Sequence, residues 1–377
     1  MKMLKVIADG FKNCADGFEI CYVPIAKKTG EDKEYELQEI ADGLFTFSTM
    51  AFVGKNASGK TTALDLLNLS YTILFSCRIG KVKYNLDGAA LTLYFYFDGM
   101  IYKYETNLKH DKISDSIFFV RQSISRKKYF KSKVKDIFSD DDFIDMQFDN
   151  VLPEDTSIVY NVTKSIFSGA YWYGSRDIGP SIYSVPFILQ KRFGFNNSYM
   201  LKILKIFDES ISDLQMIDEN TFKLKSNGKI ETLSDAELYS RLSDGTTKGL
   251  ALYISVMFSL ASGDDLIVDE IENHFHKTLV ENILSLYKDK TINKNNATLI
   301  FSTHYCEILD LFNRQDNVFI TKAEDKVHIY NMYTDYHVRP ELLKSKQYYN
   351  DVFKTAVNYD ALMDLKRSLY EQIPYHV

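Results

Sequence analysis

Hydrophobic and polar positions change their period several times along this chain, and each change predicts an element. Leu4 to Ile7 and Phe18 to Val23 read as short strands either side of a turn at Cys14-Ala15-Asp16-Gly17. The stretch 27–36, KKTGEDKEYE, is polar almost throughout and predicts a solvated loop or hairpin tip. Leu44 to Val53 is apolar enough for a buried strand, and Leu64, Leu67, Tyr71 and Leu74 then recur at helical spacing, which predicts a helix to about Ser76. From Ala89 the period becomes two. Leu91 to Phe97, Ile101 to Glu105 and Ser116 to Val120 predict three antiparallel strands, with Asp98-Gly99 as a tight turn. Residues from about 150 to 215 are expected to be mostly helical, anchored by Ile203, Leu204, Ile206 and Phe207. A helix opens after Ser243 and runs through Leu250 to Ile254. Leu266 to Val268 and Ala297 to Thr303 are buried-strand runs, followed by strands at Val318 to Thr321 and Val327 to Met332 and by terminal helices. No internal repeat, low-complexity segment or long heptad series interrupts this order, which excludes a long coiled-coil arm.

One stretch is more specific than any periodicity. In Met50 to Leu66, MAFVGKNASGKTTALDL, Gly54 and Gly59 enclose Lys55, Asn56, Ala57 and Ser58, and Lys60, Thr61 and Thr62 follow. This is a complete phosphate-binding loop between a strand and a helix. Glycines let backbone N–H groups curl around a polyphosphate, and the helix N-terminus adds partial positive charge. Lys60 suits the β- and γ-phosphates, and the Thr61 hydroxyl suits Mg²⁺. The expected ligand is ATP with Mg²⁺.

Composition then narrows the setting. Hydrophobic residues are 45% and charged residues 25%, as in a globular chain with a sizeable core. Lys+Arg 45 against Asp+Glu 51 gives a net charge of −6, which argues against a wholly basic nucleic-acid binder but leaves room for a local basic face. Such a face is conceivable at Arg126-Lys127-Lys128 with Lys131, Lys133 and Lys135, yet Asp140-Asp141-Asp142 follows, and neutralisation on a solvated surface is the better reading. Cys14, Cys21, Cys77 and Cys306 have no metal-ligand spacing and read as free thiols. No apolar leader opens the sequence and no run is long enough to span a membrane, so a cytoplasmic location is expected. Tyr171-Trp172-Tyr173 is read as buried core rather than a stacking platform.

Three further constellations follow in order. Ser243 and Gly245 stand in LSDGTTKG at a helix start, where Ser243 suits an N-cap and, as Ser-x-Gly, also a γ-phosphate receptor. Asp269 and Glu270 end a buried strand, LIVDE: Asp269 suits Mg²⁺ and Glu270 suits the base that orients an attacking water. His304 ends the strand ATLIFST and could reach the γ-phosphate.

In this order GKNASGKT, LSDGT, LIVDEIENHFH and IFSTH resemble the Walker A, signature, Walker B and H-loop motifs of ABC-type ATPases. The likeness is to the SMC-like branch without long arms, which includes the overcoming-lysogenisation-defect (OLD) group. Asp269 to His276 resembles the Asp-Glu-x-Glu-x-x-x-His form of that branch. Asn293 to Asn317 and Val338 to Lys346 further resemble stand-alone ATPase subunits of bacterial anti-phage, abortive-infection systems. The resemblance implies an α/β ABC-type P-loop ATPase head with an antiparallel β-lobe and an inserted helical subregion. The head would comprise residues 1–88 and 216–377, with 89–215 as the insert. It also implies a head-to-tail pair, each ATP lying between Lys60 of one copy and Ser243 of the other, with Glu270 as base and His304 as γ-phosphate sensor. The signature reads Ser-Asp-Gly where Ser-Gly-Gly or Ser-Ser-Gly is usual, and Gln122 is a Q-loop candidate by position alone.

The 73 residues after His304 are too few for the Toprim nuclease domain of OLD nucleases, and no HNH pattern is present. The expected function is therefore an ATP-hydrolysing dimeric switch in phage defence, controlling a separate effector, a nuclease or toxin. The alternative is a RecF-like repair or recombination ATPase that binds DNA directly. A transporter's ATP-binding subunit fits least.

Overall fold

The computed structural model describes residues 1–111, 113–164, 169–173, 182–183, 185, 198–218, 220–273, 275–336, 338–339, 342–353 and 359–372. The first half runs β1 (Lys2–Asp9), β2 (Phe18–Cys21), β3 (Leu37–Ala41), β4 (Leu44–Phe47), β5 (Thr49–Val53), α1 (Lys60–Ser76), β6 (Ala90–Phe97), β7 (Met100–Asp111), β8 (Ser116–Lys128), β9 (Ile144–Asp145) and β10 (Ala170–Tyr173). Next come α2 (Ser198–Phe207), β11 (Ile211–Asp218), β12 (Thr221–Ser226), β13 (Lys229–Ser234), α3 (Asp235–Arg241) and α4 (Asp244–Ser262). The chain continues through β14 (Asp265–Val268), α5 (Lys277–Lys288), β15 (Leu299–Thr303), β16 (Val318–Ala323), β17 (Val327–Asn331) and α6 (Tyr359–Gln372), with short helical turns between.

The sheet that matters for function has the order β10-β14-β15-β5-β16-β17. Its first five strands are mutually parallel, and β17 closes the edge antiparallel to β16. Every residue of β5, β14 and β15 is buried. That explains their unbroken apolar runs, because a parallel sheet is covered on both faces. Successive side chains point to opposite faces. Ala51, Val53, Leu266, Val268, Leu299 and Phe301 enter one core with Leu250 and Leu252 of α4 and Val280 and Leu284 of α5. Met50, Phe52, Ile267 and Ile300 enter the other, with Ala63, Leu64 and Leu67 of α1. That second core is shared with Val6, Leu93, Phe95 and Tyr104 of an all-antiparallel sheet, β2-β1-β6-β7-β8-β9. The expected meander is thus extended by the N-terminal strands, which place β1 between β2 and β6.

Four local expectations change. Leu44 to Val53 divides at Ser48: β4 pairs with β3 in a two-stranded sheet, and only β5 joins the parallel sheet. The polar stretch 27–36 is not simply solvated, for Asp32–Glu36 form a π-helical turn in which Asp32 and Glu36 are buried. Burial is tolerated because both carboxylates are paired. Arg314 bonds Asp32 at 2.8 Å and Asp316 at 2.6 Å. Glu36 accepts from Lys288 Nζ at 2.8 Å and the Asn313 amide at 2.7 Å.

The expected helical stretch 150–215 contains β10, where Trp172 lies opposite Ile267 and packs into the core. Residues 165–168, 174–181, 184 and 186–197 lie outside the described residues. A three-stranded sheet, β11-β12-β13, was not expected at all. Its FKLKS strand turns Phe222 and Leu224 inward and Lys223 and Lys225 outward.

Candidate active site

The three chemical motifs follow the C-terminal ends of adjacent parallel strands, β5, β15 and β14, the end where open parallel sheets hold ligands. After β5 the chain turns through Gly54 to Gly59, with Ala57 at φ +59° and the Ser58 amide donating to the Lys55 carbonyl at 3.2 Å. Alternating helical and left-handed residues of this kind aim successive N–H groups into one concavity. The first α1 bond runs from the Ala63 amide to the Gly59 carbonyl. The amides of Gly59, Lys60, Thr61 and Thr62 therefore have no acceptor within the helix. Gly59 has φ +102°, and a Cβ there would lie 2.2 Å from a Val327 methyl, so only glycine fits. β16 adds a bond from below, Ser58 Oγ to Thr321 Oγ1 at 2.7 Å.

Lys60 is buried, and its ammonium donates to the Gly54 and Lys55 carbonyls at 3.0 and 3.1 Å. Burial lowers its pKa, opposed chiefly by the charges of Glu270, Glu272 and Asp269. Its Nζ is also 3.4 Å from His304 Nδ1. An ammonium can only donate, so Nδ1 is the atom that would accept from it. Nε2 faces Glu270 Oε1 at 3.7 Å.

The Thr61 hydroxyl donates to Asp269 Oδ2 at 2.9 Å, and Ser302 Oγ donates to Asp269 Oδ1 at 2.6 Å. Two hard oxygens in this arrangement suit a Mg²⁺ ion, which Thr61 and Asp269 could hold. Glu270 has φ +51°, an unusual value for a residue with a side chain. The turn is held by the Glu270 amide on Ser302 Oγ at 2.7 Å, the Ile271 amide on the Ser302 carbonyl at 3.0 Å and the Asn273 amide on the Glu270 carbonyl at 2.8 Å.

Lys60, Thr61, Asp269, Glu270 and His304 are thus brought together. Ser243 and Gly245 are not part of that cluster. Ser243 caps α4, and its Oγ accepts the Thr246 amide at 3.1 Å and meets Thr246 Oγ1 at 2.8 Å, all within its own turn. His276 caps α5 through the Thr278 amide. Gln122 lies in β8, bonded to the Tyr104 hydroxyl and the Ile158 amide. Ser302 had no motif to announce it, and Glu272 stood only as the second glutamate of the Asp-Glu-x-Glu-x-x-x-His resemblance, with no role attached. Ser302 sits within a buried strand, where the polar pair Ser302 and Thr303 ending LIFST was the available signal.

Among the described residues no helix is long and apolar enough to cross a membrane. A search of curated proteins gave no match. Among solved structures, a dimeric ATP-binding cassette in a post-hydrolysis state with ADP and Pi matches 79% of this chain and 96% of its own, with 13% identity and a TM-score of 0.33. The family described as "AAA domain, putative AbiEii toxin, Type IV TA system" matches residues 50–310. That span takes in the phosphate loop, Ser243, the Asp269-Glu270 pair and His304 together. The match covers well over half of the chain, which therefore belongs to this family of AAA domains.

Proposed function

We propose that this protein binds ATP with Mg²⁺, hydrolyses it in a head-to-tail pair, and so acts as a switch on a separate effector in bacterial anti-phage defence. The observation that carries the reading is the meeting of Lys60, Thr61, Asp269, Glu270 and His304 at one end of three neighbouring strands. Lys60 leaves its loop carbonyls for the β- and γ-phosphate oxygens, and the free amides of Gly59 to Thr62 take up further oxygens. Thr61 and Asp269 hold Mg²⁺, which when bound neutralises charge on the phosphate chain. Glu270, half exposed beside His304, orients and deprotonates the attacking water. His304 donates a ring N–H towards the terminal phosphate. Ser243 and Gly245 complete the site of a second copy: their helix start is exposed in Ser243, and its polar bonds stay within one turn. The defence role rests on the family match, and the effector, nuclease or toxin, is a separate chain. The DNA-binding alternative has less of the basic run to draw on, because Lys133 pairs with Asp142, Lys131 with Asp42 and the neighbouring Lys103 with Asp140.

Glu270→Gln tests the chemistry. It removes the base while leaving the Thr61 and Asp269 oxygens in place. ATP binding should persist while hydrolysis falls by about two orders of magnitude. Near-normal turnover would remove Glu270 from the role.

A further inference from the structure

Two residues past Glu270 the chain carries a carboxylate inward. Glu272 is 8% exposed, and its Oε1 accepts the His304 backbone N–H at 2.5 Å. Among the described residues its Oε2, also buried, has no hydrogen-bond partner. Leaving a buried polar atom unsatisfied costs about 1–3 kcal/mol, and more for a charge. Holding the turn together does not call for that cost, since the Glu270 and Ile271 amides already stitch it to Ser302.

What the Glu272 bond adds is a fixed place for His304. Among the described residues the imidazole has two long polar contacts, 3.4 Å to Lys60 and 3.7 Å to Glu270, both beyond good hydrogen-bond length. Its side chain is about a third exposed, at 31%. The Glu272 bond fixes the backbone from which the ring projects, one residue past the end of β15.

We propose that Glu272 is a positioning residue for hydrolysis: by gripping the His304 amide, it holds the imidazole in line with Lys60 and Glu270. The assignment rests on the hydrolytic reading above. Its charge also lies near enough to favour the Lys60 ammonium against burial.

The test compares full-length Glu272→Ala, Glu272→Gln, His304→Ala and the Glu272→Ala/His304→Ala double variant, by steady-state ATPase rates and by calorimetry with ATP. Glu272→Ala should lower kcat by about tenfold or more, as small misplacements do, and leave ATP affinity within about threefold. Glu272→Gln should retain most of the rate, because its amide oxygen still accepts the His304 N–H. The double variant should be no slower than His304→Ala, since both changes act through one ring. Multiplying losses in the double variant, or a glutamine as slow as the alanine, would overturn the proposal. Should Glu272→Ala not fold, Glu272→Met keeps the volume, lacks the acceptor and carries the same expectations. Slow turnover in Glu270→Gln and His304→Ala with normal turnover in Glu272→Ala overturns this assignment alone. Normal turnover in all three sinks the hydrolytic reading and the assignment with it.

Discussion

The Lys60 ammonium stands between two sets of partners. In this structure it is folded onto the carbonyls of its own loop, Gly54 and Lys55, with His304 close by. A polyphosphate has to draw it away from all three, and the exchange is favourable because charge-assisted bonds are worth roughly 1.5–3 kcal/mol each. Lys60→Ala should therefore weaken ATP binding by about tenfold to a hundredfold, read directly by calorimetry. Unchanged affinity would count against the loop as the phosphate site. The residues most legible in the sequence were those whose chemistry is tied to spacing, Gly54 to Thr62 and the Asp269-Glu270 pair. Ser302 was not, and Glu272 was legible only as a motif position without a role, because their importance lies in what they touch: Asp269 and the Glu270 and Ile271 amides in one case, the His304 amide in the other.

At the scale of elements, periodicity worked where one face of an element is decided locally. The helix predicted to end near Ser76 ends there, and the alternating run from Ala89 became β6, β7 and β8. It failed where neighbours decide. YWY in β10 looks like any aromatic cluster until β14 pairs with it, and LFTFSTMAFV reads as one strand until two sheets claim its halves. Gly249 is a similar case within the signature stretch. It lies on α4 against α2, where a Cβ would come 2.1 Å from the Phe207 ring. Gly249→Ala should push α2 outward and lower stability by about 1–3 kcal/mol, seen as a reduced urea midpoint. Gly249→Ala/Phe207→Leu should recover part of it. A midpoint that does not move would mean that α2 is free to shift.

For the whole molecule, the telling contrast is between the clustered residues and Ser243. Five side chains close on one corner of a single chain, while the start of α4 turns its hydroxyl to its own Thr246. In the proposed pair that helix start meets the partner's phosphate loop. Ser243→Arg should then abolish hydrolysis by steric and charge mismatch while each copy still binds ATP. Mixed with Lys60→Ala, it forms pairs that retain one composite site with an intact loop and an intact signature. If the sites fire independently, the mixture regains part of the ATPase rate that neither variant has alone. No recovery, with mixed pairs demonstrated, would mean obligately coupled sites or a wrong composite site. Full activity of Ser243→Arg alone would leave Ser243 as a helix cap.

The sequence by itself determined the phosphate loop, the acidic strand end and their order, because loop curvature, helix start and buried strand each leave a short-range mark. It also marked Leu266 to Val268 and Ala297 to Thr303 as buried strands, through apolar runs with no polar face. Only the tertiary structure decided which strands are neighbours, and so that His304 stands between Lys60 and Glu270. It alone showed that Glu36 and Asp32 are buried with Lys288 and Arg314, roughly 250 to 280 residues away along the chain. Pairing of that kind is a matter of long-range contact and desolvation, and neither leaves a local period to read.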